Sequence, residues 1–89
     1  MATTAAAAIG DGELAILFAQ RAHSAAQESE SPDWLVASTA EGVARAYAAL
    51  GDVEEFNRWA ALAHRLIEAI ADPEDKSLIE SQLADIEAP

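Results

Sequence analysis

His23 and His64 are the residues of this chain best suited to hold a metal ion or move a proton. They are its only histidines and lie 41 positions apart. If the chain repeats a helical unit at that spacing, the two rings fall on neighbouring helices. The di-metal sites of helical bundles place a Glu three residues before each ligating His. Gln20 and Ala61 occupy those places here. No metal is therefore expected. Both histidines read as surface or groove-edge groups, whose ordinary pKa of about 6.5 permits a response to pH.

Other reaction chemistry finds little support. There is no cysteine, which excludes disulfides, thiolate metal sites and thiol nucleophiles. The four glycines are dispersed and form no phosphate-cradling loop. Ser24, Ser29, Ser31, Ser38, Ser77 and Ser81 lack the strand–turn–helix setting of an activated serine. With sixteen carboxylates, some pairs approach by number alone, so close acids do not imply a glycosidase. The chain reads as a non-enzyme with no catalytic, cofactor-binding or metal-binding residues.

The net charge of −11 opposes direct contact with nucleic acid or an anionic membrane. It would suit a basic protein partner, and an acidic inhibitor or nucleic-acid mimic is one alternative reading. Position supplies a local cause for much of the charge. Asp11, Glu13, Asp33, Asp52, Glu54, Glu55, Asp72, Glu74 and Asp75 all fall at expected helix starts. Carboxylates there cap free N–H groups and offset the helix dipole. The Ala/Thr run after Met1 carries no basic residue, and Ala5–Ile9 is too short for a secretory apolar segment. No stretch approaches the roughly 20 apolar residues that span a bilayer. A cytoplasmic protein is expected.

The elements that position these residues are all helical. Residues 1–10 read as a flexible tail, and 11–89 as one helical domain. Helix 1 is expected over 11–27, with Leu14, Leu17, Phe18, Ala22, Ala25 and Ala26 as its inward stripe. Ser31-Pro32-Asp33 then opens a helix over 32–50, with Ser31 able to cap it and Pro32 at its first position. That helix is apolar over a broad arc (Trp34, Leu35, Val36, Ala40, Val43, Ala44, Tyr47), the mark of packing on two sides. Gly42 inside it suggests close approach of a neighbour. Gly51 ends the helix in a left-handed conformation. Asp52 caps the next, over 52–71, with Glu55 completing a capping box. Its stripe is Phe56, Ala60, Ala63, Ile67 and Ile70. Asp72-Pro73 opens the last helix, 73–87, with Leu78, Ile79, Leu83 and Ile86 inward. Large side chains, with Trp34 and Trp59 among them, are expected in the core. No period-two run or hairpin turn suggests a strand.

An offset of 41 aligns Gly10 with Gly51, Asp11 with Asp52, Ala19 with Ala60, Ala22 with Ala63, His23 with His64 and Pro32 with Pro73. It also places Phe18 on Trp59 and Ser31 on Asp72. Periods of this size mark stacked helical hairpins.

Residues 37–73 resemble a tetratricopeptide-repeat hairpin. They carry the small Ala44, Tyr47 four residues before Gly51-Asp52, the apolar Val53, the small Ala63 and the closing Pro73. Phe56 and Ala60 have the large and small residues of that pattern exchanged. The 41-residue spacing is nearer the longer variants of the family than its usual 34. Ile70-Ala71-Asp72-Pro73-Glu74-Asp75 is also similar to C-terminal segments of uncharacterised bacterial proteins of that type. The resemblance implies an all-α stack of four antiparallel helices that scaffolds protein contacts. It also implies a partner-binding face on helices 2 and 4, made by Ser38, Glu41, Arg45, Ala48 and Ala49. Gly42 stands where the family's peptide-carboxylate clamp would need an Asn.

The resulting expectation is a non-enzymatic interaction module. It binds a helix or peptide on the helix 2/helix 4 face or self-associates, by symmetry as a homodimer. The alternatives are the acidic inhibitor and a fragment of a longer repeat protein.

Overall fold

The computed structural model describes side chains from Gly12 to Pro89. It contains four helices: α1 (Ala2–Glu28), α2 (Asp33–Leu50), α3 (Val53–Glu68) and α4 (Pro73–Ala84). The helix expected to start at Asp11 instead runs from Ala2, so Asp11 lies within α1 and is not its cap, and residues 2–10, expected as a tail, are helical; the side chains of residues 1–11 lie outside those described. Among the described residues there is no strand, and the helices pack on one another as an all-α bundle.

Local sequence explains the turns. Gly51 adopts φ +83°, and the amides of Gly51 and Asp52 donate to the carbonyls of Ala48 and Tyr47. That is a paired C-terminal cap of the Schellman type, which frees no buried carbonyl. The end of α1 is built the same way, but with Glu30 at φ +53°. There the amides of Glu30 and Ser31 donate to Gln27 and Ala26. The Asp52 side chain accepts from the Glu55 amide at 3.1 Å. The return half of a capping box does not form, because the Glu55 carboxylate pairs with Arg58 instead. Asp72 accepts from the amides of Glu74 and Asp75 at 2.8 and 3.0 Å, with Pro73 at the first helical position. At the start of α2, Pro32 rather than Ser31 is the cap residue and no side chain caps the helix. The Ser31 hydroxyl bonds that of Ser29.

α2 is central and packs against α1, α3 and α4, most extensively against α3. α3 also packs on α4, whereas the backbones of α1 and α3 do not meet. The main core joins Ala37 and Ala40 of α2 to Ala63 and Ile67 of α3, with Ile70, Ile79 and Leu83. Alanines at the crossing let helix axes come close, and branched aliphatics fill the remainder. The large aromatics stay at the margin. Trp59 packs partly buried against the core, while Trp34 and Phe18 are exposed.

Two expected inward sets are corrected. α1 buries Ile16, His23 and Ala26, so Leu14, Leu17 and Phe18 point outward. On α4, Ile79 and Leu83 are buried but Leu78 is exposed. Close helix approach also falls elsewhere than Gly42, where an added Cβ would meet nothing within 4 Å. It falls at Gly12, where a Cβ would come within 2.9 Å of the Leu50 side chain.

Candidate functional site

His23 and His64 do not form a site. His64 is exposed on α3. His23 is 4% exposed, which corrects its reading as a surface group. Its Nδ1 lies 2.9 Å from the Thr39 hydroxyl, whose own proton goes to the Val36 carbonyl. Nδ1–H is therefore the donor in the contact with Thr39. The ring meets Trp59 edge-on, with centroids 5.4 Å apart and planes at 87°. Burial lowers the His23 pKa below its usual value, and the nearby Val36 backbone acts in the opposite direction. This is the chemistry of a neutral structural imidazole that ties α1 to α2 and α3. Among the described residues no cluster of His, Asp and Glu could hold a metal ion.

The five residues of the expected α2/α4 face divide. Glu41 is only 5% exposed. Its carboxylate accepts from Nε and a terminal nitrogen of Arg45. The same Arg45 terminal nitrogen donates to the Gln82 carbonyl in α4 at 2.9 Å. The pair therefore braces α2 against the last turn of α4, where a cation also suits the helix dipole. Ser38 is half-buried. Arg45, Ala48 and Ala49 line a shallow groove of about 360 Å³ with Asp85, Ile86 and Glu87. The chain's own C-terminal residues thus form one wall of that face.

A second groove, about 350 Å³, opens between α1 and α3 because their backbones do not meet. Gln20, Trp59 and Leu62 line it with Glu55, Arg58 and Arg65. Gln20 is held there by its hydrogen bond to the Tyr47 hydroxyl at 3.0 Å. The Arg58 guanidinium beside Glu55 has its pKa raised, chiefly by that hydrogen bond.

Many of the carboxylates lie near helix ends. Asp33 accepts from the Ala71 amide, which brings the start of α2 to the α3–α4 turn. Asp33, Asp72, Glu74 and Asp75 thus share one end. The Asp75 carboxyl is pushed up by desolvation and by the charges of Asp72, Asp33 and Glu74. Glu28, Glu30 and Glu68 lie at this same end, Asp85 and Glu87 at the other, Glu80 is exposed along α4, and Glu41 is buried.

The feature that sequence reasoning placed on the wrong side of α1 is an apolar strip. Leu14, Leu17 and Phe18 are 42, 44 and 58% exposed. The described part of this helix carries no carboxylate from Leu14 to Gln27, and Arg21 is its one Lys or Arg there. That gap, the longest between acids in a chain of charge −11, is the signal by which the strip could have been found. No helix is long and apolar enough to cross a membrane among the described residues. No protein-family model matches this chain, and comparison with curated proteins and with solved structures found no match.

Proposed function

We propose that this chain is a non-enzymatic, cytoplasmic protein-interaction module of the tetratricopeptide-like kind, and that it self-associates through the outer side of α1. The observation that carries this reading is the exposure of Leu14, Leu17 and Phe18 together on one helix. Single exposed apolar residues are ordinary, but a contiguous apolar strip favours a contact. A second copy of an acidic chain meets least repulsion over a stretch that has no carboxylate, and Leu14–Gln27 is such a stretch. The shallow groove beside Arg45, Ala48 and Ala49 supports the second reading, a peptide held between α2 and α4.

Sedimentation velocity over a wide concentration range tests the reading. The wild type should associate, and Phe18→Glu should shift it to monomer while leaving its helical circular dichroism unchanged. A wild type that stays monomeric at millimolar concentration overturns self-association.

A further inference from the structure

We infer that the surface meeting the strip on α1 is the free side of α4 from a second copy, so that copies join head to tail. This rests on the self-association reading and gives it a geometry. Among the exposed large apolar residues, which also include Trp34, Leu50 and Val53 near the helix ends, Phe18 with its neighbours lies along α1 and Leu78 along α4, two helices whose backbones do not meet among the described residues. The backbone of α1 meets only α2 among the described residues, with the His23 ring reaching Trp59 of α3, and α4 packs on α2 and α3. Each therefore has a side without a neighbouring helix.

The offset of 41 residues relates those two free sides to an interface that the chain already makes. Leu78 and Ser81 correspond to Ala37 and Ala40, which are buried in the contact of α2 with α3. Phe18 and Ala22 correspond to Trp59 and Ala63, and Ala63 is buried in that same contact. α4 of one copy against α1 of the next would thus repeat the α2–α3 pairing, the most extensive in the bundle. Phe18, Ala22, Leu78 and Ser81 are exposed, whereas their counterparts Trp59, Ala63, Ala37 and Ala40 are half-buried or buried; Leu14 and Leu17 correspond to Glu55 and Arg58 and lie beside this contact.

Charge agrees with this pairing. Leu78 is flanked on α4 by Glu74, four residues before it, and Asp85 follows one turn beyond Ser81. An α4–α4 contact would bring these acids together. α1 offers them a stretch without carboxylates that contains Arg21. A joint of this kind uses different surfaces on the two copies. It leaves one of each free and continues unless it closes into a ring.

Complementation of two blocked variants tests the joint. Phe18→Glu disables the α1 side, and Leu78→Glu disables the α4 side. Both positions are exposed, so circular dichroism should show both variants folded, and Ala22→Glu, also at an exposed position, provides an independent α1 block. Each variant alone should sediment as a monomer. An equimolar mixture should form a species of two chains and no larger, because the intact α4 of one meets the intact α1 of the other. If Leu78→Glu alone still associates while Phe18→Glu does not, α1 pairs with α1 and the head-to-tail joint is overturned. If both are monomers and the mixture is too, it is likewise overturned. A wild type that never associates removes the broader reading instead, so the two failures are distinct.

Discussion

The Asp33 carboxylate, in the first turn of α2, accepts a hydrogen bond from the backbone N–H of Ala71 at 3.0 Å, across 38 residues of chain. One side chain thereby serves two helices. Its charge complements the start of α2, and its oxygen satisfies an amide in the turn that leads into α4. Asp33→Ala should lower stability by about 1–2 kcal/mol, summing a lost charged hydrogen bond and a lost dipole interaction. Asp33→Asn keeps an acceptor and should lose about half as much. Urea unfolding followed by circular dichroism reads both.

The ends of α1 and α2 share one hydrogen-bond pattern but not one residue. Gly51 takes the left-handed conformation freely, whereas Glu30 takes it against its Cβ. Glu30→Gly should therefore stabilise the protein by about 1 kcal/mol. Gly51→Val should destabilise it by about 2 kcal/mol, since branching at Cβ adds to the same cost. Thermal melts of the two variants should move in opposite directions.

Gly42 and Gly12 make a second contrast. Nothing surrounds a Cβ at position 42, within an α-helix. Gly42→Ala should gain close to the full helix-propensity difference, about 1 kcal/mol. At Gly12 the new methyl must displace the end of the Leu50 side chain. Most of the propensity gain of Gly12→Ala should be offset there, leaving stability within about 0.5 kcal/mol of the wild type. Denaturant midpoints of the two variants compare them directly.

His23 predicts a slope of stability with pH. Its folded pKa is lowered by burial, so below about pH 6.5 the unfolded chain takes up a proton that the folded chain does not. Its contribution is complete above that pH and is lost as pH falls towards the folded value. The urea midpoint should fall between pH 7.5 and 5.5. His23→Asn should flatten the fall, and His64→Asn, at an exposed position, should keep it. Emission from Trp59, which touches the His23 ring, should hold as pH falls through 6.5 and decrease only below it, where the folded ring takes up its proton, in a Trp34→Phe background.

What the sequence determined by itself was what depends on neighbours in the chain. The left-handed turn at Gly51, the caps at Asp52 and Asp72, and the start at Pro73 each follow from a few adjacent residues. The inward positions of α3 follow in part, because that helix has packing partners in α2 and α4: Ala63 and Ile67 are buried as their spacing predicts and Phe56 and Ala60 are half-buried, while Ile70 is buried just past the helix, which ends at Glu68 and not at 71.

Tertiary structure decided which side of α1 is covered. Its most apolar strip, Leu14, Leu17 and Phe18, reads as the inward side only if a large helix-facing core awaits it. The covered side carries one large apolar residue, Ile16, beside small and polar ones: Gly12 under Leu50, Gln20 on Tyr47 and His23 on Thr39. Close approach and paired hydrogen bonds select that side, and periodicity within one helix carries no record of the partner's groups. Long-range pairings decided the rest. The sequence placed Asp33, Glu41 and Arg45 on α2, but only the packed bundle set Asp33 on Ala71, covered Glu41, and brought Arg45 to Gln82.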